Sequence, residues 1–159
     1  MSALPDLDRT IAELVFLGSD TEIEVSQLAR AVRTPQTEIR RALRQLSALG
    51  YPLRSHGDLI ERGSLQSIDA QQVRTNLRSQ KIGRRLEWRL HVRSTQDELK
   101  DIEQEIEDGT VVIAETQRLG RGRLTRGWFS PFGGIWMSVL LRPTWPKSHQ
   151  ILTLAFAAA

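Results

Sequence analysis

Between Glu115 and Gly134 the chain reads ETQRLGRGRLTRGWFSPFGG, with Arg118, Arg121, Arg123 and Arg126 set among Gly120, Gly122 and Gly127. Guanidinium groups grip carboxylates and phosphates through paired N–H forks. Glycines let a backbone approach a ligand and change shape. A hydrogen bond to such a charged group contributes about 1.5–3 kcal/mol. Arg121 and Arg123 alternate with Gly120 and Gly122, so both side chains can face one anionic ligand. Gln117, just upstream, can donate and accept toward an amide-like group. The run fits no common nucleotide template. It lacks the Lys-Ser/Thr ending of a P-loop and the third glycine of a dinucleotide fingerprint. From residue types alone it is either an anion-binding loop or a solvated one.

The charge around it favours the first reading. Net charge is only +3, too little to make the whole chain a polyanion binder. Its distribution is uneven. Residues 97–108 hold seven acids against Lys100, and no acid follows Glu115, whereas Arg118, Arg121, Arg123, Arg126, Arg142 and Lys147 do. The 159 residues are 40% hydrophobic and 26% charged, a composition of folded domains rather than disordered chain. With 0 cysteines and 3 scattered histidines, neither a disulfide framework nor a thiolate metal site is available. No signal peptide and no bilayer-spanning run is evident, which points to a cytoplasmic protein without membrane contact. The closing ILTLAFAAA reads as an unfinished buried helix, so the chain is expected to be a fragment of a longer protein.

The elements that must position these residues follow from periodicity. LDRTIAELVFLG sets Ile11, Leu14, Val15 and Leu17 at helical spacing and stops at Gly18. VSQLARAV is a second short helix. Thr34 and Pro35 read as N-cap and first position of a third, whose Ile39, Leu43, Leu46 and Leu49 share a face and which ends at Gly50. YPLRSHGDLIE reads as two strands about a His56-Gly57-Asp58 turn. Three helices and a hairpin make a winged helix-turn-helix. Its third helix and approach present Arg33, Gln36, Thr37, Arg40, Arg41 and Arg44, the candidate DNA-binding set. The same arginines would also suit a plain solvent face.

Beyond a polar linker, Asp69 caps AQQVRTNL. In LEWRLHVR, Leu86, Trp88, Leu90 and Val92 alternate with Glu87, Arg89, His91 and Arg93, which predicts a strand with one buried face. Ser94-Thr95 then caps QDELKDIEQEIED, with Leu99, Ile102 and Ile106 inward. TVVIAET and IWMSVLLR read as further strands, and core packing is expected of Trp136. The fold class is α+β: a winged helix-turn-helix over 1–63, a linker and short helix over 64–80, and the first, incomplete part of a mixed α/β domain over 81–159.

LEWRLHVRST, GTVVIAETQRLGRGR and RGWFSPFGGIWMSVLLRP, in this order behind the helical module, resemble the bacterial biotin protein ligase family in its bifunctional, DNA-binding form. The resemblance covers nearly the whole chain. It implies a biotin/lipoate-ligase-like catalytic domain that uses biotin, ATP and Mg²⁺. Such an enzyme forms biotinyl-5′-AMP and transfers biotin to a lysine of a biotin carboxyl carrier protein, the acetyl-CoA carboxylase subunit. By resemblance, Ser94, Thr95, Gln96, Gln117, Arg121, Gly122 and Arg123 are the biotin-binding set. Arg121 and Arg123 take the catalytic role, and Arg123, Arg126 and Trp128 serve the nucleotide. The arginine segment is expected to be a mobile lid that closes over the adenylate. Operator DNA, with a repressor role, and a homodimer through the second domain's sheet are the implied partners.

The chain departs from the pattern. Gln96 stands where the family has asparagine, and Thr125 where it has glycine. Trp145-Pro146 is not the family's Lys-Trp-Pro-Asn motif, having no lysine before it and no asparagine after it. Little or no ligase activity is therefore expected of this polypeptide by itself. Three alternatives stay open: an effector-responsive winged-helix regulator without ligase activity, a lipoate ligase, and a glycine-arginine nucleic-acid binder.

Overall fold

The computed structural model describes residues 7–122, 124 and 126–144. The first unit consists of α1 (Leu7–Phe16), β1 (Glu22–Glu24), α2 (Val25–Val32), α3 (Gln36–Ala48), β2 (Leu53–His56) and β3 (Leu59–Arg62). The three strands form an antiparallel sheet in the order β1-β3-β2. Sequence periodicity missed β1, because three residues, Glu-Ile-Glu, are too few to show alternation. Gly57, at φ 65°, makes the β2–β3 turn in the left-handed region that glycine tolerates.

Two details of the helices differ from expectation. Leu14 and Leu17 are exposed, and Phe16 is buried instead. Phe16 stacks on Tyr51 with ring centroids 4.8 Å apart. α3 starts one residue later than Thr34 capping requires. Pro35 is its N-cap, and the Thr34 hydroxyl turns back to the Val32 carbonyl at 3.1 Å. Within α3, Ile39, Leu43 and Leu46 are buried as expected, while Leu49 is half-buried at the C-cap.

Ile11, Val15, Val25, Leu28, Ile39 and Leu46 form one core, and Leu90 from the next unit is buried with them. Leu46 is fully buried. Leu46→Ala is expected to destabilise the protein by about 2–5 kcal/mol, as a shifted urea midpoint would show.

α4 (Ala70–Asn76) is capped by Asp69, whose carboxylate accepts from the Gln71 and Gln72 amides. Next come β4 (Leu86–Val92), α5 (Thr95–Ile102), β5 (Val111–Arg121), β6 (Gly127–Ser130) and β7 (Trp136–Val139). β4 lies parallel to β5 along one edge. β7 and β6 pair antiparallel with β5, at Val111–Ala114 and Gln117–Arg121 respectively. β4 to α5 to β5 is thus a parallel crossover, with Leu99, Ile106 and Val112 packed beneath α5. The expected helix stops at Ile102, and Ile106 reaches this core from beyond it. His91, expected to face outward, is fully buried.

The two units are joined by polar contacts. The buried Tyr51 hydroxyl donates to the Leu90 carbonyl at 2.7 Å and lies 2.9 Å from Thr116 Oγ1, which is 2.7 Å from His91 Nδ1. With the tyrosine proton on Leu90, Thr116 donates to Tyr51 and His91 Nδ1–H donates to Thr116. Burial pushes the Tyr51 phenol pKa up, against the Thr116 hydrogen bond, so the donor keeps its proton. Glu115 Oε1 accepts from the Ile68 amide at 2.6 Å and Trp88 Nε1 at 2.8 Å, tying the linker to the sheet. No helix among the described residues is long and apolar enough to cross a membrane.

Candidate functional site

The arginine segment is not one loop. β5 runs on through Gln117, Arg118, Leu119, Gly120 and Arg121, and β6 returns beside it. Gln117 pairs with Ser130, Gly120 with Trp128 and Arg121 with Gly127, with a register shift between Gln117 and Gly120. The Gly122 amide donates to the Arg126 carbonyl at 2.8 Å and starts the turn. The expectation of a loop is therefore corrected at Gln117–Arg121 and Gly127–Ser130, which are strand. Glycine and arginine carry no strand signal, but β6 pairs with this stretch on one side and the Arg93 carbonyl accepts the Leu119 amide on the other. Arg123 and Thr125 lie outside the described residues, as do Trp145 and Pro146.

At the end of β4 the chain enters α5 through Ser94 and Thr95. Ser94 is the N-cap in extended conformation, and its carbonyl accepts from the Asp97 and Glu98 amides. Its side chain does not cap the helix, contrary to expectation. The Ser94 hydroxyl is buried and has no hydrogen-bond partner among the described residues. A buried hydroxyl without a partner is costly, and a ligand that supplies one offsets that cost. Thr95, also buried, is fully engaged. Its amide and hydroxyl donate to Gln117 Oε1 at 2.8 and 3.1 Å, and its hydroxyl lies 2.8 Å from Ser138 Oγ. Gln117 Nε2 donates in turn to Ser130 Oγ at 3.0 Å. Both Oε1 lone pairs are thus used, and one Nε2 proton is left for a ligand acceptor.

Ser94, Thr95, Gln96, Gln117, Arg121, Trp128, Ile135, Trp136, Met137 and Ser138 enclose a 190 Å³ pocket. The structure brings Ser94, Thr95, Gln96, Gln117, Arg121 and Trp128 together at this place. Gly122 and Arg126 instead line an adjoining 820 Å³ cavity with Arg93, Arg118 and Phe129. Gln96, Arg121 and Trp128 belong to both walls. Trp136 is half-buried, donating through Nε1 to the Pro131 carbonyl at 2.8 Å, so it is as much a pocket wall as a core residue. Sequence reading missed Ser130 and Ser138. Their alternation within WFS and WMSV was the only available signal, and the strands that place them become neighbours only through β5.

Arginines dominate the larger cavity. Arg93, Arg118, Arg121 and Arg126 line it, and among the described residues no acid does. Arg121 Nη2 lies 2.5 and 2.7 Å from the two Asp97 oxygens. Arg118 meets the buried Asp8 of α1 at 3.5 Å. The small pocket is thus polar with aromatic walls, and it opens at Arg121 onto a basic one. Together they suit a compact ligand with amide-like groups at one end and an anion at the other. Among the described residues there is no group of three or more His, Cys, Asp or Glu that could hold a metal ion.

The DNA-binding candidates cluster separately. Gln36, Thr37, Arg41 and Arg44 lie on exposed α3 positions, and Arg33 is the left-handed C-cap of α2 at φ 52°. Arg40 reaches the β2–β3 turn, donating to the Gly57 carbonyl at 2.8 Å and pairing with Asp58 at 2.9 Å. Arg41 pairs with Glu38 at 2.9 Å. Arg40 and Arg44 also line a 250 Å³ groove with Ser47 and Ser55.

Residues 89–158 match the Biotin/lipoate A/B protein ligase family. The "Bifunctional ligase/repressor BirA" of Bacillus spizizenii is 29% identical over 96% of this chain and 49% of its own length. The protein of the same name from Bacillus subtilis is 28% identical over the same shares. The chain spans about half the length of these curated relatives. A solved structure, "Biotin protein ligase from Aquifex aeolicus in complex with biotin and ATP", is 46% identical over 37% of this chain and 25% of its own, with a TM-score of 0.34.

Proposed function

We propose that this protein is an ATP-dependent biotin–protein ligase, a reading supported by the match of residues 89–158 to the biotin/lipoate A/B protein ligase family. In this reading biotin enters the 190 Å³ pocket and ATP the adjoining cavity. The observation that carries it is the Ser94 hydroxyl, buried in the pocket wall without a partner among the described residues, beside the spare Nε2 proton of Gln117. A ureido ring offers one carbonyl acceptor and two N–H donors, which match that pair of groups. Gln96, one methylene longer than the family's asparagine, sits where the pocket opens.

Biotin's carboxylate then meets the α-phosphate at Arg121, the wall both cavities share. Carboxylate oxygen attacks phosphorus, pyrophosphate leaves, and biotinyl-5′-AMP remains. A lysine amine of a biotin carboxyl carrier protein attacks the acyl carbon, and AMP departs. Two anions must be brought into contact, so fixed guanidinium groups do the main electrostatic work. Arg121, Arg126 and, by resemblance, Arg123 supply them, with Trp128 beside the nucleotide. No step here runs through a protein-bound metal.

The N-terminal unit, residues 1–63 in this reading, is a winged helix that binds operator DNA. The helix–strand order, the β1-β3-β2 sheet and the basic α3 support it. Arg33, Gln36, Thr37, Arg41 and Arg44 face the duplex, while Arg40 holds the wing against α3. The protein works in the cytoplasm, and dimers form through the second sheet.

Calorimetric titration with biotinyl-5′-AMP tests the reading. The chain is expected to bind it, and Arg121→Ala to weaken binding by about 10- to 100-fold, the worth of one charged hydrogen bond. Equal affinities in the two proteins would sink the proposal.

A further inference from the structure

We propose that Arg93 and Arg121 form a two-arginine clamp for the nucleotide's phosphates, and that Asp97 occupies this clamp until the ligand replaces it. The inference rests on the nucleotide reading of the 820 Å³ cavity and adds two residues to it. Arg93 directly follows β4, and Arg121 closes β5. Their backbones are joined where the Leu119 amide donates to the Arg93 carbonyl at 2.8 Å. Both side chains line the cavity. Both point at one carboxylate: Asp97 lies 2.5 Å from Arg121 Nη2 and 3.9 Å from Arg93 Nε.

That carboxylate does what a ligand phosphate would do. It takes Arg121 Nη2 on both oxygens and partly neutralises Arg93. It is also replaceable. The side chains of Arg93 and Arg121 are 60% and 43% exposed, and ion pairs this open to water add little stability. A triphosphate carries more charge than one carboxylate and offers more acceptors. Asp97 lies in the first turn of α5, where the helix N-terminus favours negative charge. Release of Arg121 therefore leaves no stranded acid. With Asp97 in place, Arg93 and Arg121 share one countercharge. This pairing also discriminates against small monoanions, which cannot outcompete a tethered carboxylate.

The test uses the full chain, inorganic pyrophosphate and biotinyl-5′-AMP, measured calorimetrically at low salt. Asp97→Asn removes the competitor without changing shape and is expected to tighten pyrophosphate binding by about three- to ten-fold. Arg93→Gln is expected to weaken it by a similar factor, and Asp97→Glu to restore wild-type affinity. Neutral biotinamide, which reaches only the small pocket, is expected to bind all variants alike. Unchanged or weaker pyrophosphate binding by Asp97→Asn would overturn the proposal by making Asp97 a fixed support for Arg121. An unaffected Arg93→Gln would overturn the clamp. A wild-type chain that ignores biotinyl-5′-AMP while the pyrophosphate responses hold would retire the ligase reading and leave the clamp standing.

Discussion

Replacing Gln117 with leucine is expected to cost at least about 100-fold in biotin affinity and about 2–5 kcal/mol in stability. The residue is buried, and its amide has three protein partners. Leucine matches its bulk but removes every polar atom. The Thr95 amide and hydroxyl lose their acceptor at Gln117, and Ser130 Oγ loses its donor, and both residues are buried. Buried groups left unpaired cost about 1–3 kcal/mol each. The spare Nε2 proton, the one group Gln117 can offer a ureido carbonyl, goes as well. Gln117→Glu separates these roles, because it keeps the acceptor for Thr95 and loses both donors. It is expected to fold with a smaller loss of stability and still bind biotin poorly. Thermal unfolding and biotin titration on both variants check this. Weakened folding with undiminished biotin affinity would make Gln117 a purely structural residue.

Gly120→Ala is expected to detach β6 from β5 and to abolish ligand binding. A β-carbon at Gly120 would sit 2.6 Å from Ser130 Oγ, 2.6 Å from the Trp128 carbonyl oxygen and 3.3 Å from Gln117 Nε2. None of these can swing aside cheaply. Ser130 is fully buried and holds Gln117, and the Trp128 oxygen is backbone in the facing strand. The strands must part, which breaks the Gly120–Trp128 pair and moves the Trp128 and Arg121 walls of both cavities. Overpacking of this kind costs about 1–3 kcal/mol. The functional loss is expected to be larger, since displacements near 1 Å at a charged site carry large penalties. Amide hydrogen exchange should show early loss of protection in β6. Gly127→Ala is the control: a β-carbon there meets nothing within 4 Å, and near wild-type behaviour is expected.

These predictions draw on different layers of information. The helical periods of Ile39, Leu43 and Leu46, the Asp69 cap and the β2–β3 turn were all legible in the chain, because they are short-range and repeat at fixed intervals. So were the residue types of the site. A glutamine before glycine-arginine repeats and a downstream tract free of acids already pointed to an anion and an amide-like partner, while Ser94-Thr95 read by residue type only as a helix cap. What local pattern could not reveal was how far β5 extends. Nothing in Arg118-Leu119-Gly120-Arg121 favours a strand, and the segment is one because two neighbouring backbones need its N–H and C=O groups. His91 misled for a related reason. Alternation predicts two faces for a strand but does not say that the second face is also covered.

The sequence by itself determined the chemistry available to this protein: which side chains exist, their order, and the concentration of positive charge after Glu115. Tertiary structure decided which of them meet. It left the Ser94 hydroxyl without a partner among the described residues, spent three of Gln117's hydrogen bonds on Thr95 and Ser130, and set Asp97 against Arg121 across 24 positions of chain. The physical reason is reach. Hydrogen bonds and ion pairs act over a few ångströms, so a site exists only where strand pairing brings distant segments that close together.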